Sequence, residues 1–236
     1  MAIFKRSKKK KQRGRFIVLD GIDGSGKSTQ FDLLKKELEL SGFAVEVIKF
    51  PRHGKPTAFM VDEYLKGSYG ELNSYAASIF YATDRFDASS TIKNWLEEGK
   101  IVLSDRYVVA NAGHQGSKIK DPAERLKFFK WLDNLEYNIF GIPKPDLNII
   151  LNMPAMNAFG LLRGRKGKAD HKDNMHEINL THLRQAQEAY VQIARLFPST
   201  KMVECLVGKD VLSPKEIHNK VWELVRRIAL KDFKTQ

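Results

Sequence analysis

The stretch Gly21-Ile22-Asp23-Gly24-Ser25-Gly26-Lys27-Ser28-Thr29 matches the glycine, four residues, Gly-Lys-Ser/Thr pattern of a phosphate loop. What flanks it decides how it is read. Before it, Phe16 to Asp20 is a short apolar run that stops at a glycine, the mark of a buried strand in a parallel sheet. After it, Leu33, Leu34, Leu38 and Leu40 recur at helical spacing until Ser41-Gly42, a helix stop. Ala44 to Ile48 then reads as a second strand, so the loop sits at the strand-to-helix turn of a βαβ unit.

The alternation continues downstream. Helical patterns fall near 56–66 and 74–99, a strand at Ile101 to Asp105, and a helix near 122–139. A strand at Leu147 to Leu151 follows Pro143 and Pro145, and a helix near 174–196 leads to a fifth strand at Lys201 to Cys205 and a last helix near 213–230. Five short strands alternating with helices predict an α/β fold, a doubly wound, mostly parallel five-stranded sheet with helices on both faces. No internal repeat and no Gly/Ser/Pro linker divides residues 16–236, which are expected to form one domain.

Composition narrows the class. The chain has 236 residues and a formal net charge of +12. Eight basic residues and no acid lie within residues 1–15, so two thirds of the excess belongs to an N-terminal arm and the body is only mildly basic. A block of like charges without apolar residues is expected to be disordered. Its open readings are a solubilising tail, a weak polyanion contact and a localisation signal. One cysteine, Cys205, excludes an internal disulfide framework and a Cys-rich zinc module. The arm resembles the basic region of a signal peptide, but no adequate apolar run follows it. Nor does any stretch approach the ~18 apolar residues that span a bilayer, so a cytoplasmic chain without membrane contact is expected.

The chemistry of the loop follows from its residue types. Glycines 21, 24 and 26 let the backbone turn its amides toward phosphates, and the helix N-terminus adds partial positive charge. The set Gly21, Gly24, Ser25, Gly26, Lys27, Ser28 and Thr29 is thus expected to bind ATP, with Lys27 reaching the β and γ phosphates and Ser28 holding magnesium. Asp105 closes an apolar strand, the place of a second carboxylate near that metal; its alternative is to pair with Arg106. Arginines recur after later strands and on a helix, in Phe50-Pro51-Arg52, Asp105-Arg106-Tyr107 and Tyr81-Ala82-Thr83-Asp84-Arg85. At the carboxyl edge of a parallel sheet they can converge on one crevice, where they suggest an acceptor that is itself phosphorylated.

These motifs, in this order, with Asn111 and Gln115 behind the third strand and Pro145-Asp146 before the fourth, resemble the thymidylate kinases. The resemblance implies a P-loop kinase fold with a basic lid near 160–177, transfer of the γ-phosphoryl of ATP to dTMP with Mg2+, and a homodimer packed through helices. It implies that Arg52 and Arg106 grip the acceptor phosphate, Tyr81 stacks on the base, Arg85 bonds its edge, Asn111 and Gln115 surround it, and Asp23 meets the 3′-hydroxyl. The lid resemblance covers Leu162 to Lys168, where Arg163 and Arg165 stand as candidates for stabilising the transition state because the loop has Gly24-Ser25 where other members carry an arginine. His114 and Ala110 depart from the Tyr and Ser common in the family, which puts strict deoxyribose selection in question.

Other readings stay open on the sequence alone. The three acceptor arginines could pair with neighbouring carboxylates such as Asp84 and Asp105, Asp23 could serve only the turn, and Tyr81, with Ile79, Phe80 and Phe86 nearby, could be core. For the whole chain the rivals are a kinase for another monophosphate such as dUMP or UMP, and a nucleotide-dependent switch or nucleic-acid-binding ATPase.

Overall fold

In a computed structural model, which describes residues 12–165, 180–197 and 199–234, the run before the phosphate loop is β1 (Arg15–Asp20), the middle strand of a five-stranded sheet. The strands β2 (Val45–Lys49), β3 (Ile101–Asp105), β4 (Leu147–Asn152) and β5 (Thr200–Glu204) join it in the order β2-β3-β1-β4-β5, every neighbouring pair parallel. Burial explains the sequence pattern. In β3 all five residues are buried, and in β1 all but the first, so their apolar runs are continuous, whereas the edge strands β2 and β5 alternate with exposed positions.

Right-handed crossovers fix which face each helix takes. The chain leaves β1 toward one edge through α1 (Lys27–Leu40) and then steps only the other way, through α2 (Phe59–Leu65), α3 (Ser74–Glu97), α4 (Val108–Gly116), α5 (Pro122–Asp133), α6 (Ala155–Arg165) and α7 (Leu180–Leu196). Accordingly α1 packs with the last helix, α8 (Pro214–Leu224), while α4 packs against α3, α5 and α7 on the opposite face. The direction reverses between β1 and β3, so a crevice opens at their carboxyl ends, where ligands bind in such sheets.

Several details differ from the sequence expectation. The helices α4 and α6, and a small antiparallel ribbon of β6 (Leu206–Val207) and β7 (Asp210–Val211), were not expected. All residues of α4 but His114 are buried, so it lacks the one-sided apolar stripe that marks a helix in sequence. The expected helices 122–139 and 213–230 are each an α-helix closed by a π-type turn, at Asn134–Ile139 and Val225–Ala229. The arm drawn at 1–15 also ends earlier, because Arg15 already belongs to β1 and Arg13 reaches Asp146 at 3.1 Å. Residues 1–11, and the lid expectation over 166–177, lie outside the described residues.

Candidate active site

The phosphate loop turns on three glycines with positive φ, Gly21 (139°), Gly24 (81°) and Gly26 (88°). At Gly24 the conformation is reinforced by contact, since a Cβ there would lie 2.3 Å from the Ala158 carbonyl oxygen of α6. An arginine at this position has no room. Lys27 is buried and donates to the carbonyls of Gly21 (2.9 Å) and Ile22 (2.8 Å). Burial and the neighbouring Arg106 lower its pKa, against the pull of Asp23, Asp20 and Asp105.

Asp23 and Arg106 meet at the crevice as a close ion pair. Burial alone would raise the Asp23 carboxyl, but Arg106 and Lys27 hold it far below the usual carboxylate range. Arg106 has φ 69°, a left-handed conformation costly for a side chain with a Cβ. Two hydrogen bonds fasten its backbone there, N–H to Leu19 O at 3.0 Å and Ser104 Oγ to its own carbonyl at 2.6 Å. The pairing suggested by adjacency, Asp105 with Arg106, is not what forms. Asp105 instead receives Lys49 on Oδ2 at 3.2 Å, while its buried Oδ1 has no partner.

Beside this pair lies a cleft of about 970 Å³ lined by Asp23, Tyr81, Arg85, Arg106, Ala110, Asn111, His114 and Gln115, among others. Six of the predicted acceptor residues therefore share one cavity. Tyr81 is half-buried on its wall, and Ile79 and Phe86 beside it on α3 are exposed, so the core alternative for this segment is not realised. Asn111 Nδ2 donates to Ser78 O at 3.1 Å. Its Oδ1, Gln115 Oε1 and His114 Nε2 are buried with no partner, an arrangement that a bound ligand resolves. The His114 ring packs edge-on to Tyr190 and lies along His182, with Nδ1 3.5 Å from His182 Nε2. Burial pushes its pKa down to about 3.

Two arginines are held by carboxylates. Arg85, nearly inaccessible, makes a bidentate pair with Glu136 at 2.5 Å through Nε and Nη2, not with the adjacent Asp84. Arg52 is not among the cleft-lining residues. Its Nε meets Asp84 at 2.8 Å and its Nη2 meets Asp87 at 2.6 Å, so the carboxylate alternative holds for the contact it makes here. On α6, Arg163 is exposed and lies over the Phe159 ring at 5.8 Å. Arg165 ends the helix, and its side chain lies outside the described residues.

Sequence reasoning missed Glu136, Asp20 and Tyr190. Glu136 carried a signal, a carboxylate in helical register with the buried Phe128, Phe129 and Leu132. Asp20 and Tyr190 gave none, because their contact joins positions 170 residues apart, the Tyr190 hydroxyl donating to Asp20 Oδ1 at 2.9 Å.

Oxygen donors at the loop fit a small hard cation. The Ser28 hydroxyl is exposed, and Asp105 Oδ1 is buried and unpartnered close enough for its charge to act on Lys27 and Arg106. Among the described residues no group of three or more His, Cys, Asp or Glu side chains could hold a metal ion. Also among these residues, no helix is long and apolar enough to cross a membrane.

Comparison with known proteins identifies the family. A family model described as thymidylate kinase matches residues 19–207. A probable thymidylate kinase of Thermococcus kodakarensis is 31% identical over 222 residues, covering 90% of this chain and 98% of its own. The thymidylate kinase of Mycobacterium tuberculosis is 34% identical over 152 residues, 63% of this chain and 71% of its own. A solved thymidylate kinase from Candida albicans superposes with a TM-score of 0.69 at 23% identity, over 91% of this chain and 92% of that one, which speaks to the fold. Sequence and architecture together place the chain in the thymidylate kinase family.

Proposed function

We propose that the chain transfers the γ-phosphoryl group of ATP to dTMP, giving ADP and dTDP. The observation that carries this reading is the cleft that joins the Asp23–Arg106 pair to the side chains of Asn111, His114 and Gln115, whose Oδ1, Nε2 and Oε1 atoms have no partner. A nucleoside monophosphate offers charge to one set and hydrogen-bond donors to the other. The loop amides and Lys27 hold the triphosphate, and Lys27 exchanges its two carbonyl partners for phosphate oxygens. Arg106 takes the acceptor phosphate, assisted by Arg52, which Asp84 and Asp87 hold in place. Asp23 accepts from the 3′-hydroxyl, Tyr81 stacks on the base, and Arg85 donates to its edge with the hydrogens Glu136 leaves free.

An ionised acceptor phosphate is already a nucleophile, so alignment and charge neutralisation carry the rate rather than a general base. Ser28 and Asp105 would hold magnesium, which when bound with ATP offsets charge on the phosphates. Arg163 and Arg165 would supply the remaining positive charge at the transition state. Two copies associate through helices in this reading, covering exposed apolar side chains such as Ile79, Phe86 and Ile139. A cytoplasmic place of action fits the single cysteine, buried Cys205, whose thiol burial pushes up to about 12. The basic arm acts as a solubilising tail, with a nucleic-acid contact secondary to it.

The test is ADP release measured with a panel of dTMP, dUMP, UMP and a deoxypurine monophosphate. The highest kcat/KM is expected for dTMP, with little ADP formed in the absence of acceptor. A higher value for another monophosphate would reassign the substrate, and acceptor-independent hydrolysis at the same rate would favour a nucleotide switch.

A further inference from the structure

Behind α4, on the side away from the acceptor cleft, lies a second cavity of about 230 Å³. Its walls are the apolar side chains of Val109, Ala112, Phe129, Leu132 and Ile193 from α4, α5 and α7. It shares no lining residue with the acceptor cleft, since Val108, Val109 and Ala112 face it while Ala110, Asn111, His114 and Gln115 face the cleft. The two spaces are thus separated by the thickness of one helix.

Six polar residues also line it: Asp133, Tyr137, Lys144 and Ser199, which reach solvent, and Asn148 and Thr200, which are buried. Asn148 and Thr200 are direct partners in the β4–β5 register, so their side chains leave the sheet on the same face. They are 3% and 2% exposed, and both Asn148 Oδ1 and Thr200 Oγ1 lack a hydrogen-bond partner. Buried oxygens without partners are uncommon, and a side-by-side pair in a cavity is more so. The size limits what can fill it, because a dry cavity of about 150 Å³ already accepts benzene, and 230 Å³ has room for a fused bicycle. The buried polar groups are an amide and a hydroxyl, which favour an uncharged group beside them, and an unpartnered carbonyl oxygen calls for a donor.

We propose that this cavity is a second binding site, for a small neutral heteroaromatic molecule whose ring N–H donates to Asn148 Oδ1 while its ring lies against the α4, α5 and α7 side chains. The site stands apart from the kinase reading, since its residues belong neither to the phosphate loop nor to the acceptor cleft.

Indole and benzofuran, which differ by a ring N–H against a ring oxygen, are the probes, titrated into the full chain by ligand-observed NMR. Indole is expected to saturate below about 1 mM, and benzofuran to bind at least about 10-fold more weakly because it leaves Asn148 Oδ1 unpartnered. Asn148→Leu should abolish that preference, and Thr200→Val, nearly isosteric, should weaken indole if the leucine variant does not fold. Saturating dTMP should leave indole bound, and the indole titration reads the same whether or not dTMP is a substrate. The proposal is overturned by absence of saturation, by equal affinity for the two probes, by indifference to both substitutions, or by competitive displacement of indole by dTMP.

Discussion

The Tyr190 hydroxyl donates to Asp20 Oδ1, tying α7 to the strand that delivers the phosphate loop. Asp20 is fully buried, its Oδ2 has no partner, and burial pushes its pKa up to about 6 despite the Tyr190 bond and the Arg106 charge. Removing the hydroxyl by Tyr190→Phe leaves the buried carboxylate with the Gly21 amide, at 3.1 Å, as its remaining hydrogen-bond donor. A loss of about 1–3 kcal/mol is expected at pH 8, read by urea denaturation. It should shrink at pH 5, where the folded protein already holds Asp20 protonated; a loss independent of pH would mean the bond is not to the charged form.

Acid stability has two opposing contributions in the same neighbourhood. His114 is held neutral down to about 3, against an ordinary value of 6.5, so below pH 6.5 the unfolded chain binds more protons and stability falls with pH until about 3. Asp20, at about 6 when folded and 3.8 when unfolded, binds more protons in the folded state, so its effect is most favourable below 3.8 and is lost as pH rises through 6. His114→Gln should therefore become progressively more stable than the native chain as pH falls from 7 to 4, whereas Asp20→Asn should gain most above pH 6. Denaturation curves at four or five pH values check both slopes, and parallel profiles would refute the assignment.

The loop glycines should not be equivalent. Gly26 has φ 88° but nothing within 4 Å of an added Cβ, so Gly26→Ala carries only conformational strain, about 1–2 kcal/mol. Gly24→Ala adds collision with the Ala158 backbone and should cost about 3 kcal/mol or more. Thermal unfolding of the two variants gives the order directly.

For the lid, Arg163→Ala should lower kcat by a factor on the order of 10² or more if it is the arginine acting at the transition state, with KM for dTMP nearly unchanged. If Arg165 is that group instead, the loss transfers to Arg165→Ala. Normal turnover in the double variant would remove the lid from the mechanism.

What could be read from the chain alone follows a physical division. The three inner strands were legible because burial on both faces makes apolar runs, and the loop was legible because its chemistry is local in sequence. The wall of the acceptor cleft was harder. Asn111, His114 and Gln115 sit on α4, whose near-complete burial and two glycines, Gly113 and Gly116, remove helical periodicity. Those glycines exist for packing, since a Cβ would press on the Tyr190 and Phe129 rings at 2.7 and 2.4 Å. The partners of the arginines were the least legible, because Glu136 and Arg85, or Asp23 and Arg106, are joined by the fold and not by adjacency.

The Arg85–Glu136 pair allows structure and substrate binding to be separated. Both groups are almost wholly removed from water and joined by two 2.5 Å bonds. Deleting one partner strands the other, so Glu136→Ala should cost about 3–5 kcal/mol. Replacing both with apolar residues removes the stranded charge, and Arg85→Met with Glu136→Leu should recover most of that stability. Turnover should not recover with it. If Arg85 also donates to the base of the acceptor, the double variant should fold and yet lose roughly 10²-fold in kcat/KM for dTMP, while KM for ATP is unaffected. Urea denaturation and steady-state kinetics on the same three proteins decide the matter. A stable double variant with native kinetics would make the pair purely structural, since the only interaction then removed from the cleft would have been one the acceptor never used.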